Sequence, residues 1–245
     1  MINHCAYLLV VHGSRQLTYQ QSVENLTNLI RNNLLSQKLP VKLDTAYLEL
    51  SEQSLGEKIA SFAQDCIINN YQKLKILPLF LLSGTHVKQD IPEEITRAKQ
   101  LLEQANININ IELLPYLGKE QKLIKLLENK YQKHPADCRV IIAHGTSLTE
   151  GNQECEQLAL SLNAHLAYWS KQPFLKELLP TLVNNNYQNI AILPYFLFTG
   201  KISVAISEKV NQLQLEYPEN KLFYIEPLGV TEELASIITE ILCND

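Results

Sequence analysis

Leu8-Leu9-Val10-Val11-His12-Gly13-Ser14 recurs 132 positions later as Val140-Ile141-Ile142-Ala143-His144-Gly145-Thr146. Both are short apolar runs, rich in branched residues, that stop at a histidine and a glycine. Apolar on both faces, such a run marks a strand buried in a parallel sheet. The repetition continues outward in order. Ala46-Tyr47 recurs as Ala167-Tyr168, 121 positions on. Tyr71-Gln72 with Ile76-Leu77-Pro78-Leu79-Phe80-Leu81-Leu82-Ser83-Gly84 recurs as Tyr187-Gln188 with Ile192-Leu193-Pro194-Tyr195-Phe196-Leu197-Phe198-Thr199-Gly200, 116 positions on. Leu114-Pro115-Tyr116-Leu117-Gly118 answers to Glu226-Pro227-Leu228-Gly229 at 112 to 111. Four anchors in one order, with steadily shrinking offsets, indicate an internal duplication whose second copy has shorter connections.

Each copy alternates strands with helices. Residues 6–11, 43–48, 74–82 and 109–114 read as buried strands. Between them, Val23, Leu26, Ile30 and Leu34, and later Ile95, Ala98, Leu102 and Ala105, fall on one face of a helix. Asp90-Ile91-Pro92-Glu93-Glu94 reads as a helix start, with an acceptor at the N-cap and proline in the first turn. A closing helix through Leu123, Leu127 and Tyr131 ends near His134-Pro135, the expected junction. The expected fold is α/β: two similar open parallel-sheet domains, 1–135 and 136–245.

Composition narrows the function. The 245 residues carry a net charge of −5, which disfavours a nucleic-acid binder, and 46% apolar content supports an ordinary core. The apolar run Ile76 to Leu82 is far short of a membrane span, and Ala6 to Val11 is too short for a signal-peptide core. Cysteines 5, 66, 138, 155 and 243 form no Cys-x-x-Cys pair. A reducing compartment, cytoplasmic or a plastid-like stroma, is expected.

In open parallel sheets, ligands bind beyond the carboxyl ends of the strands. Three ionisable residues of the first copy stand there: His12, Glu49 and His86. Two imidazoles and a carboxylate suit a divalent transition metal, and either imidazole can act as a base near neutral pH. The duplication supplies a control. His144 matches His12, but Ser170 stands in place of Glu49 and Ile202 in place of His86. One working site in the first domain and a degenerate one in the second follow. His144 is expected to pack or to line a cleft.

Weaker features surround this trio. Gly13-Ser14-Arg15 and Gly145-Thr146-Ser147 could hold an anion or simply make tight turns. Arg15, Lys88 and Lys201 could pair with ligand carboxylates. There is no Walker loop or dinucleotide fingerprint. His4, His134 and His165 read as structural or surface residues, and Trp169, Tyr47 and Tyr168 as core or interface.

Val10-Val11-His12-Gly13-Ser14-Arg15 and the run from Pro78 through His86-Val87-Lys88-Gln89-Asp90 to Pro92 resemble the two motifs of the class II tetrapyrrole chelatases, specifically the sirohydrochlorin chelatases. The resemblance runs through both copies, as in the two-domain form. It implies insertion of a divalent metal into sirohydrochlorin without ATP: Fe2+ to give siroheme, or Co2+, with Ni2+ a further candidate. It places His12, His86 and Glu49 as catalytic and metal-binding residues. The substrate is a polycarboxylate, so Ser14, Arg15, Lys88 and Lys201 are expected to orient it. No tightly bound cofactor, nucleic acid or membrane partner is expected, and the chain is expected to act as a monomer. Ser170 and Ile202 depart from the family pattern, and the histidine-rich stretch of some members is missing, which favours iron. The alternative is a non-catalytic two-lobed metal or tetrapyrrole carrier with the same trio. A hydrolase using His12 and His86 lacks a nucleophile elbow or second metal cluster.

Overall fold

Strand pairing radiates from β1 (Cys5–Val11), which bonds β2 (Lys42–Tyr47) on one side and β3 (Lys73–Pro78) on the other, both parallel. A fourth strand, β4 (Asn110–Leu113), adds outside β3, giving the order β2-β1-β3-β4. The second copy repeats this as β6-β5-β7-β8 with β5 (Cys138–Ala143), β6 (His165–Tyr168), β7 (Asn189–Pro194) and β8 (Lys221–Tyr224). The computed structural model describes residues 5–37 and 41–244; His4 lies outside them.

Helices α1 (Leu17–Ser36), α2 (Leu55–Ile68), α3 (Ile91–Gln104) and α4 (Lys122–Gln132) follow the strands of the first copy. In the second copy α5 (Thr149–Ser161), α6 (Leu175–Asn184), α7 (Lys201–Glu216) and α8 (Glu232–Cys243) take the same places in sequence. The two-residue period of a strand splits β1 and β3 between two cores. Ala6, Leu8, Val10, Leu74 and Ile76 pack with Leu55, Ile59 and Ala63 of α2 and with Ile91, Ile95 and Ala98 of α3. Ser54 and Glu57 close a reciprocal cap at the start of α2, which holds the Glu57 carboxyl below its usual value.

Packing groups the chain into two compact units that exchange the last helix of each sequence copy. One unit contains residues 1–81, 85–120 and 230–245; the other contains 82–84 and 121–229. The last helix of each copy is therefore counted with the other copy's sheet. A parallel sheet must be covered on both faces, and each sheet takes part of its cover from the last helix of the other copy. In the first unit α8 packs against α1. Lys75, buried in β3, donates from Nζ to the carbonyls of Leu242 and Asn244 at the end of α8, 3.2 and 2.8 Å away. A cation at a helix C-terminus satisfies carbonyls that have no partner in the helix. In the second unit Tyr131 of α4 is buried and donates from Oη to the Val140 carbonyl of β5 at 2.7 Å. Burial holds its phenol well above the ordinary value.

β3 ends at Pro78, earlier than the expected residue 82. Register explains this: Val10 faces Pro78 and β1 stops at Val11, so after the Leu79 amide bonds the Val10 carbonyl β1 offers no further partner. Among the described residues no helix is long and apolar enough to cross a membrane.

Deleting residues 230–245 is expected to expose the first unit, not the second. Hydrogen exchange should then accelerate in β1, β3 and α1 while β5 and β7 stay protected. Burial also raises the thiols of Cys66 and Cys138 to about 11 and Cys155 to about 12, against 9.0 when solvated. The neutral form is favoured only in the folded chain. The contribution is complete below pH 9 and is lost as pH rises toward 11 to 12, so urea midpoints should fall across that window.

Candidate functional site

The order β2-β1-β3-β4 reverses direction between β1 and β3, and a crevice opens beyond the carboxyl ends at such a switch point. Each of the first three strands delivers one donor there. His12 follows β1 directly. Glu49 comes two residues after β2, and pairing persists past the strand ends: the Leu48 amide bonds the Val11 carbonyl and the Glu49 amide bonds the His12 carbonyl, both at 2.9 Å. Gly13 has φ +109°, and a Cβ on it would lie 2.2 Å from the Glu49 carbonyl oxygen. Only glycine allows both that backbone and that approach.

His86 arrives by a longer route. It stands eight positions beyond the end of β3 and opens a π-type turn, His86–Asp90, whose closing bond runs from the Ile91 amide to the His86 carbonyl. Pro92 has no N–H for the Lys88 carbonyl and its ring crowds it, which favours the wider turn at this point. The α-helix proper begins at Ile91 with Pro92, Glu93 and Glu94 in its first turn, as expected, but Asp90 supplies no capping bond. Asp90 is already helical, with φ −62° and ψ −48°, and its side chain caps no backbone amide. It bonds His86 Nδ1 instead, Oδ2 at 2.6 Å. With a carboxylate as the acceptor, the proton of this bond belongs to Nδ1 and the ring's lone pair to Nε2. The histidine-to-aspartate spacing of four was the available signal for this contact, and the cap pattern obscured it.

One ligand atom from each of His12, Glu49 and His86 lies within 4.8 Å of the others. The two imidazole centroids are 4.8 Å apart. Donors around one first-row ion at about 2.0–2.2 Å are at most roughly 4.4 Å apart, so the trio needs only a slight contraction to hold an ion. His12 and Glu49 are exposed and His86 is half-buried. Three protein donors leave coordination positions open for a second ligand.

Other expected site residues take separate places. Ser14 accepts at Oγ from the Gln16 amide at 3.1 Å, an ordinary turn bond. Arg15 and Lys88 are exposed in the first unit, three residues after His12 and two after His86. Lys201 is the exposed first residue of α7 in the second unit. His144 is exposed, with Nδ1 2.9 Å from the Gly145 carbonyl oxygen. Its carbonyl accepts from the Ser170 amide at 2.9 Å and the Ser170 hydroxyl at 2.7 Å. The second copy thus keeps the backbone of the site without its donor set. His134 and His165 make ring contacts with Phe223 and Tyr187, Tyr168 is buried, and Tyr47 is half-buried. Trp169 is 37% exposed and not core.

Tandem parallel α/β units, one with a His-Glu-His donor set at its switch point, define the architecture of a class II chelatase. The chain belongs to the CbiX family, whose model matches residues 6–134 and again 138–244. The resemblance drawn from the two histidine motifs is thereby borne out. A sirohydrochlorin ferrochelatase of Priestia megaterium is 25% identical over 247 residues, covering 96% of this chain and 88% of that protein. A sirohydrochlorin cobaltochelatase of the same organism is 21% identical, covering 82% and 68%. SirB from Bacillus subtilis, solved with Fe3+, has the same fold at a TM-score of 0.80 and 22% identity, covering 97% of this chain and 94% of that one.

Replacing Asp90 with alanine should free the His86 ring while leaving all three donors present. Loss of a carboxylate behind a ligating histidine weakens metal binding by about 10- to 100-fold. Titration with Co2+, followed by visible absorption, should show a drop of that size with little change in thermal midpoint.

Proposed function

We propose that this chain is a sirohydrochlorin chelatase that inserts a divalent metal ion into the free-base ring without ATP. Convergence of His12, Glu49 and His86 at the switch point, in a chain of the CbiX family, carries the proposal. Fe2+, yielding siroheme, is the ion assigned first; Co2+ or Ni2+ suits the same donors.

The residues divide the work as follows. His86, its Nδ1–H directed at Asp90, receives the incoming ion through Nε2. Two neutral imidazoles and one carboxylate leave a bound divalent ion with one residual positive charge, which favours approach of a polycarboxylate. Arg15 and Lys88, with the Ser14 turn, orient the acidic arms. Insertion releases two pyrrole N–H protons per ion. His12 and Glu49 accept them, and being exposed they pass them to water. Three donors at an open site bind more loosely than a closed four-ligand centre, so the ring nitrogens can strip the ion away. The first copy performs this chemistry and the second supplies no catalytic donor set.

The protein works as a single chain whose duplication provides both units. Its five unbridged cysteines fit a reducing compartment, cytoplasmic or a plastid-like stroma.

Anaerobic mixing of protein, sirohydrochlorin and Fe2+ or Co2+ tests the proposal through the ring's absorption spectrum. Insertion should run well ahead of the protein-free control; equal rates would overturn the assignment. Ion binding with no change in the ring would make the chain a carrier. His86→Ala should slow insertion by at least about 100-fold, the range lost with a positioned acid–base or ligand group. His144→Ala should stay within about twofold, because its counterpart donors are missing.

A further inference from the structure

The segment Leu82-Ser83-Gly84 lies between β3 and His86 in the sequence, yet it packs as part of the second unit. Three contacts embed it there. Leu82 packs against Ala143 of β5, Cys155 of α5 and Tyr168 of β6. The Ser83 amide donates to Glu154 Oε2 on α5 at 3.0 Å. Gly151, one turn earlier on α5, lies so close that a Cβ there would be 2.1 Å from the Ser83 carbonyl oxygen. Ser83 is completely buried, and its hydroxyl makes no hydrogen bond to protein. The backbone is therefore what α5 holds.

The second copy differs at this point. Thr199, the counterpart of Ser83, is exposed, and Gly200 instead starts α7 through a bond from its amide to Ser203 Oγ. His86 begins three residues after Ser83, and those residues leave little slack for a turn that must present Nε2 to the other donors.

We propose that Glu154 is a positioning residue for His86, acting through the Ser83 amide. The inference rests on the assignment of His86 as a metal ligand and adds a role for the copy that lost its own donors. A charge-assisted bond to a buried amide is strong, and removing its acceptor leaves a buried N–H without a partner. The approach to the π-type turn then loosens, and the donor trio loses its geometry without losing a member.

The test measures Co2+ affinity by visible absorption, in the absence of sirohydrochlorin, together with hydrogen exchange. Glu154→Leu should weaken Co2+ binding by about 10-fold, the lower range for a group that orients a ligand. Exchange should accelerate across residues 83–90 while β5 and β7 keep their protection. Glu154→Gln retains an acceptor oxygen and should restore affinity to within about threefold of the parent. Unchanged affinity in Glu154→Leu would overturn the proposal, as would Glu154→Gln binding as weakly as the leucine variant. Weaker binding accompanied by general loosening of β5 and β7 would also overturn it, by reducing Glu154 to a structural role. A protein that binds Co2+ normally but leaves sirohydrochlorin unmetallated would defeat the chelatase assignment and leave this one intact.

Discussion

The hydrogen bond from the Glu49 amide to the His12 carbonyl is the constraint on which the site depends. It carries the β1–β2 ladder one step beyond the strands, so that an imidazole and a carboxylate leave the sheet side by side. It also fixes the identity of residue 13. With the Glu49 carbonyl so close, the backbone at that point tolerates no side chain, and its positive φ is one that glycine adopts without strain. The rest of the site is built on this pair. His86 need only be brought to a place already defined, which is the task of the π-type turn and of Asp90.

The second copy shows that this backbone device and the chemistry are separable. The Ser170 amide bonds the His144 carbonyl at the same 2.9 Å, and Gly145 keeps a positive φ. The ladder extension persists although the acid has become serine and the second histidine isoleucine. Donors at a strand end project from the fold without supporting it, so they can be lost without cost to the sheet. Their retention in the first copy needs a reason other than stability.

Sequence pattern reached the duplication, the parallel sheets and the convergence of His12, Glu49 and His86 because each leaves a local mark. Branched apolar runs mark buried strands, and an ionisable residue after such a run marks a strand end. Three features left no such mark. The end of β3 is set by where β1 stops, a matter of register between strands. The membership of α4 and α8 is set by which sheet face lacks a cover, and their amphipathic patterns suit either sheet. Asp90 presents one motif with two uses: an acid before Ile-Pro reads as a cap, and four residues after a histidine it reads as that histidine's partner. The wider turn forced near Pro92 selects the second.

The placement of α8 constrains how the protein is made. Synthesis proceeds from the N-terminus, and domains generally fold as they emerge. Here the first sheet leaves the ribosome long before the helix that covers its second face. Lys75 and the apolar surface around it wait, uncovered, for nearly the whole of the remaining chain. A chain that stops short of the last helix would leave that face of the first sheet bare.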